Sequence, residues 1–155
     1  MKNPQELFYN LAYNLALVAY KLDEVPVGAV IIKDDTYELV SSGYNQMRSN
    51  KSSLDHAEML ALRSAMSRLN QERLIGCSMI TTLEPCPMCA QAISYARLSS
   101  VSFSAEDVKS GGILHGPRIF DSSSCHHKPN VIRYDDDGKS RELLQKFFKF
   151  KRKNK

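Results

Sequence analysis

The sequence predicts an α/β layered domain, and three observations predict it. Strand-like and helix-like segments alternate along the chain. The strand-like segments 27–33 and 77–83 are apolar over most of their length, as buried strands are. Turn residues separate the segments at short intervals, which leaves no room for an interdomain linker. Alternation of this kind builds a sheet with helices packed on its faces. A chain of 155 residues has one domain's length, enough to bury roughly 68–70% of the surface its unfolded form exposes.

The elements follow in order. Asn3-Pro4-Gln5-Glu6 is a helix start, with a capping side chain, proline at the first helical position and a glutamate three residues after the cap. Leu7, Leu11, Leu15, Val18 and Leu22 then recur at helical spacing, so a helix is expected over 4–22. Segment 27–33 is rich in β-branched residues and broken by Asp34-Asp35, and 37–44 follows as the second arm of a hairpin. Residues 46–54 are polar and loop-like. A helix over 56–70 places Leu60, Ala61, Ser64, Ala65 and Leu69 on one face. A buried strand over 77–83, a helix over 87–97 that begins with proline, and a short strand over 100–104 come next. Gly111-Gly112 mark a turn and 113–130 reads as irregular. A strand over 131–134 and the turn Asp135-Asp136-Asp137-Gly138 lead to a terminal amphipathic helix over 141–151, in which one of Phe147 and Phe148 is expected to be core.

Composition excludes several classes. With 43% hydrophobic and 25% charged residues the chain is neither disordered nor a disulfide-dense mini-scaffold. The longest apolar runs, 15–20 and 25–32, fall short of the ~18 residues a membrane span needs. The polar start lacks the apolar run of a secretory signal, so a cytoplasmic protein is expected, its four cysteines thiols or metal ligands rather than disulfides. The net charge of +4 hides an asymmetry. Residues 139–155 hold eight Lys/Arg and one acid, whereas residues 1–138 carry a net −3. A basic end on an acidic body is either a solvated terminus or the footprint of a polyanionic partner.

Three polar features fall where helices begin or strands end: Asp55-His56-Ala57-Glu58, Glu84-Pro85-Cys86-Pro87-Met88-Cys89, and Gly43-Tyr44-Asn45. Two cysteines at i and i+3 share a helix face, and with one distant histidine they supply three ligands to Zn²⁺. A tetrahedral zinc with three protein ligands keeps its fourth position for water and lowers the pKa of that water toward ~7. Glu58, two residues from His56, is then the natural general acid and base. Positions i and i+2 of a regular helix face apart, so the pair shares a site only if His56 lies at or before the first helical residue. A redox C-x-x-C would leave Asp55–Glu58 without a role. Cys125-His126-His127 are too close in sequence to converge on a second metal without an unusual turn, and Cys77 reads as core.

H-x-E followed by P-C-x-x-C is the signature of zinc nucleobase deaminases. With Glu24-Val25-Pro26-Val27-Gly28-Ala29-Val30, Gly43-Tyr44-Asn45, Asp107-Val108-Lys109-Ser110-Gly111-Gly112 and Leu143-Leu144…Phe147-Phe148…Lys151-Arg152, the chain resembles the bacterial tRNA-specific adenosine deaminases of the cytidine deaminase-like superfamily, over nearly its whole length. The resemblance implies a three-layer α-β-α sandwich around a five-stranded mixed sheet, a single deaminase domain over 1–155 ending in a basic helix or tail over 139–155, and a homodimer with one zinc per chain. It implies hydrolytic deamination of adenosine to inosine at the wobble position of a tRNA anticodon stem-loop. Residue by residue, it assigns zinc to His56, Cys86 and Cys89 and proton transfer to Glu58. It assigns a hydrogen bond with the flipped base to Asn45, and the base pocket to Val25, Pro26 and Val27 together with Ala57 and Pro85. Asp107, Lys109 and Ser110 would lie along the anticodon-loop groove, with Phe148 and Arg152 near the flanking nucleotides. Two alternatives share parts of the pattern. Deaminases of guanine, cytosine or deoxycytidine monophosphate carry the same zinc motif but do not need a basic aromatic helix. A non-catalytic, zinc-stabilised RNA-binding subunit would not need Glu58.

Overall fold

The computed structural model describes residues 3–154; Met1, Lys2 and Lys155, the outermost parts of the polar start and the basic end, lie outside the described residues. Along the chain run α1 (Pro4–Lys21), β1 (Gly28–Lys33), β2 (Leu39–Tyr44), α2 (Ala57–Leu69), β3 (Cys77–Leu83), α3 (Pro87–Tyr95), β4 (Ser100–Ala105), a short 3₁₀ helix (Ile119–Asp121), β5 (Asn130–Arg133) and α4 (Lys139–Lys153). The five strands form one mixed sheet in the order β2-β1-β3-β4-β5. β1 runs antiparallel to both β2 and β3, while β4 and β5 run parallel to β3 and to each other. A parallel pair needs a crossover. α3 supplies it between β3 and β4, and the largely irregular stretch 106–129 supplies it between β4 and β5.

Alternation along β1 splits the core in two. Ala29 and Ile31 join a cluster with Ala61, Leu62, Met79, Ile93 and Phe103 under α2 and α3, whereas Val30 and Ile32 pack with Tyr9, Ala12 and Ile80 under α1. No helix of the described residues is long and apolar enough to cross a membrane.

α1 begins as expected, with the Asn3 side chain accepting from the Gln5 amide at 3.1 Å and Pro4 in the first turn. Its inward face is only partly the leucine stripe, since Leu11 and Leu15 pack half-buried against the α1-side core. Leu7 and Leu22 are more than half exposed, and Tyr9, Ala12, Ala16 and Ala19 are buried instead. The reason is close approach. A Cβ on Gly28 would collide with the Ala12 carbonyl oxygen and lie 2.9 Å from Ala16 N and Leu15 Cβ. Only alanines let the helix sit this near the strand, so Gly28→Ala should cost about 1–3 kcal/mol, since backbone on one side and strand on the other leave nothing to yield. Urea titration reads this as a lower midpoint at unchanged slope.

Smaller differences have equally local causes. β2 starts at Leu39 rather than at 37, because Tyr37 takes a left-handed φ of 56° in the hairpin turn. α2 turns Leu62 inward and leaves Ser64 exposed. α3 ends at Tyr95, two residues short of 97, where Arg97 is left-handed. β4 runs one residue beyond 100–104, β5 is displaced by one residue from 131–134, and α4 extends two residues beyond 141–151 at each end.

α4 is pinned at both ends. Asp136 accepts from the Ser140 amide at 2.8 Å, and the Tyr9 hydroxyl donates to the same carboxylate within a buried network that includes Ser104 and Ser140. Near the other end Phe147 is buried edge-on against Tyr20, and Lys151 pairs with Asp23. Phe147 is therefore the core member of the aromatic pair, and Phe148 remains 45% exposed. The basic residues divide as well. Lys139 and Lys146 lie over the rings of Tyr13 and Tyr20 on α1, so part of the positive charge is spent on packing.

Candidate metal centre and active site

Two helix beginnings meet at the site, and each presents its capping residue. His56 precedes α2 with ψ of 155°, and Cys86 precedes α3 with ψ of 171°. Both are extended, so neither side chain is bound to the lateral face of its helix. This resolves the spacing of His56 and Glu58: the first lies outside the helix and the second inside its first turn. Gly43 seats the arrangement, because a Cβ there would stand 2.6 Å from the Ala57 carbonyl and 3.1 Å from Ala61 N. Pro87 opens α3, and Cys89 follows one turn after Cys86, buried.

The ligand atoms of His56, Cys86 and Cys89 lie within 4.8 Å of one another, the one such metal-ligand cluster among the described residues. His56 Nδ1 is 3.5 Å from each sulfur. A tetrahedral zinc with Zn–S near 2.3 Å and Zn–N near 2.0 Å separates nitrogen from sulfur by roughly 3.5 Å, so the donor set fits the ion in chemistry and in size. The hydrogen bond from Cys89 holds the Cys86 thiol down at about 4, and the same bond together with burial pushes Cys89 up. His56 is pushed up by its hydrogen bond to Cys86. A cation displaces these protons as it binds.

Glu58 is buried, with Oε2 3.6 Å from Cys89 Sγ. Burial pushes its carboxyl up to about 7, which suits a group that must take and return a proton near neutral pH. Asn45, at the end of β2, is buried and its Oδ1 has no hydrogen-bond partner. An unpaired buried acceptor costs about 1–3 kcal/mol, a cost that a ligand's donor removes.

A cleft of about 1080 Å³ lies above, with three walls. Val25, Asn45, Met47 and Arg48 form one, Asp107, Val108, Lys109 and Ser110 the second, and Arg141, Gln145, Phe148 and Arg152 of α4 the third. Seven of the residues singled out in the sequence thus line a single cleft: Val25, Asn45, Asp107, Lys109, Ser110, Phe148 and Arg152. Pro26, Val27, Ala57 and Pro85 do not line it; all four are buried, Val27 and Ala57 within the main core cluster. The metal ligands and Glu58 also lie off its lining. Leu83, three residues before Cys86, and Asn45, which follows β2, are among the residues that line the cleft.

Cys125-His126-His127 do not converge. The Cys125 thiol donates to the His127 carbonyl at 3.1 Å, and His127 Nε2 lies 2.7 Å from the Leu98 carbonyl. Cys77 is core, as its strand implies. Sequence reasoning gave no role to Glu24 and Glu84, both 1% exposed. Glu24 accepts from the amides of Arg48 and Ser49 at 2.9 and 2.8 Å, and Glu84 from several amides of the 107–115 loop. The available signal was an acidic residue flanking an apolar run, where charge is seldom buried without partners.

A structural zinc takes four protein ligands. Three ligands with a buried carboxylate beside them define a hydrolytic zinc centre. Known proteins point the same way. Residues 2–105 match the family model for the cytidine and deoxycytidylate deaminase zinc-binding region. The tRNA-specific adenosine deaminase of Agrobacterium fabrum is 40% identical over 145 residues, covering 94% of each chain. That of Aquifex aeolicus is 40% identical over 150 residues, covering 97% of each. A solved structure from studies of A-to-I editing by tRNA:A34 deaminases at the wobble position superposes with a TM-score of 0.86 at 39% identity, covering 90% of this chain and 99% of its own. The chain belongs to the tRNA-specific adenosine deaminases of the zinc-dependent cytidine deaminase-like family.

Proposed function

We propose that this protein converts adenosine to inosine at the wobble position of a tRNA anticodon. The observation that carries the reading is the cleft. Its third wall is a basic helix bearing an exposed phenylalanine, Phe148, with Arg141, Lys151 and Arg152 beside it. A free base needs no such wall, whereas an anticodon loop offers splayed bases to stack and phosphates to neutralise.

Zinc, when bound by His56, Cys86 and Cys89, supplies a water acidic enough to act as nucleophile near neutral pH. Glu58 takes a proton from the attacking water and delivers it to N1 of the adenine, then takes the proton of the newly added hydroxyl and passes it to the amine, which departs as ammonia. Asn45 holds the flipped base through the Oδ1 that the protein leaves unpaired. Val25 contributes to the base pocket, and Pro26, Val27, Ala57 and Pro85 support it from beneath. Asp107, Lys109 and Ser110 track the loop from the second wall, and Phe148 and Arg152 meet the flanking nucleotides from the third. The protein works as a homodimer of single-domain chains over 1–155, one zinc each, in the cytoplasm; sedimentation of the zinc-loaded protein checks the dimer.

The deciding experiment offers zinc-loaded protein an anticodon stem-loop with adenosine at the wobble position, alongside guanine, cytosine, cytidine and deoxycytidine monophosphate. Inosine from the stem-loop, absent with Glu58→Ala, is expected. Ammonia from a small molecule with the stem-loop untouched overturns the substrate. The two phenylalanines separate stability from binding. Phe148→Ala should weaken stem-loop binding roughly five- to a hundredfold, the range corresponding to about 1–3 kcal/mol of stacking, while Phe147→Ala lowers the melting temperature. Binding should also weaken steeply between low and moderate salt, as counterions return to the RNA; a flat titration would count against the nucleic-acid partner.

A further inference from the structure

Glu84 ends no helix, ligates no metal in this arrangement and has a side chain fully removed from solvent. Burying a carboxylate is costly unless several donors converge on it. Here five do: the amides of Asp107, Ile113, Leu114 and His115 at 3.2, 3.2, 3.0 and 3.1 Å, and the His115 ring Nδ1 at 2.8 Å. Burial raises the carboxyl, yet the His115 ring and these amides outweigh it and hold the group below the ordinary range. Every one of the five donors comes from the 107–115 loop and none from the sheet or a helix.

The same loop is pressed onto the metal turn from its other side. Gly112 N donates to the Pro85 carbonyl at 2.8 Å, and a Cβ on Gly112 would stand 2.5 Å from Pro87 N and 2.7 Å from Cys86 C. A Cβ on Gly111 would collide with the Glu84 carboxylate itself. Glu84 lies two residues before the ligand Cys86, and the loop it holds carries Asp107, Lys109 and Ser110 on the cleft wall.

We propose that Glu84 is a positioning residue that locks the 107–115 wall of the substrate cleft, through its main-chain amides and His115, onto the turn carrying Cys86. The inference rests on the RNA-editing reading for its kinetic consequence and on the hydrogen bonds alone for its structural one. Glutamine in its place keeps one acceptor oxygen but turns an NH₂ toward amides that can only donate, so the loop loses part of its anchor while the zinc donors keep theirs.

The test uses zinc-loaded protein and three readouts. In Glu84→Gln, hydrogen exchange of the 107–115 amides should rise about tenfold with the β1 and β3 amides unchanged, KM for the stem-loop should rise about tenfold with kcat within about threefold, and zinc should stay at one per chain. Gly111→Ala sets a Cβ against both the Glu84 carboxylate and the Asp107 carbonyl at the point where the loop meets its anchor, and should give the same split, with the double variant no worse than the poorer single one. Unchanged exchange and KM overturn the proposal. So does loss of zinc together with kcat, which would assign Glu84 to the metal turn instead. If Glu84→Gln does not fold, Gly111→Ala decides: the KM and exchange effects support the clamp, and their absence refutes it. A wild-type protein that leaves the stem-loop untouched refutes the substrate reading, and the exchange measurement then decides the clamp alone.

Discussion

Glu58→Gln is expected to lower kcat by about 10²–10⁴-fold, the usual contribution of a positioned acid–base group, without loss of zinc. Glutamine has nearly the volume of the glutamate, so the first turn of α2 keeps its packing; what goes is the capacity to carry a proton. Single-turnover inosine formation, with metal content measured on the same sample, checks this. Turnover retained within tenfold would remove Glu58 from proton transfer, and loss of zinc would make it a support of the metal instead. A pH profile adds the sign. Burial, outweighing the hydrogen bonds and the His56 charge that oppose it, pushes the carboxyl up to about 7, and a cation beside it draws that value down. The deprotonated form must accept the first proton, so kcat is present above this pKa and is lost as pH falls through it, with the acid limb at or below about 7.

The second large effect is on the metal. Cys86→Ala, or removal of zinc by chelation, should abolish turnover and also lower the melting temperature. His56 and Cys86 close the ends of two different helices, so the ion joins α2 to α3 in the folded chain and has no equivalent site in the unfolded one. At a thousandfold excess of metal over its dissociation constant the linkage is about 4.1 kcal/mol. For a domain of this size that corresponds to roughly 8–16 °C. Calorimetry of the zinc-loaded and chelated protein reads it directly, and identical melting temperatures would refute the three-ligand centre.

What could be read from the sequence was local chemistry. The i, i+3 cysteines, the proline that opens α3 and the histidine just outside α2 each follow from residue type and spacing, so the metal donors were legible before any coordinates. Strand order was not legible, since hydrophobic periodicity does not say which strands pair; the family resemblance implied only five strands in a mixed sheet. The alanine face of α1 was not legible from leucine spacing, because that contact is governed by how near the helix must come to Gly28. The basic end was read as one patch, and the structure divides it between tyrosine packing and the cleft. Least legible was the role of Glu84. Its partners lie 23 to 31 residues away, at main-chain amides whose identity no side chain reveals.

β4 ends at residue 105, and the end of that strand divides the proposed chemistry from most of the cleft. Every proposed reacting group precedes it, while two of the three cleft walls follow it, on the 107–110 segment and on α4. Substitutions confined to the 107–110 segment or to the exposed face of α4 would therefore alter the cleft while leaving the proposed reacting groups in place.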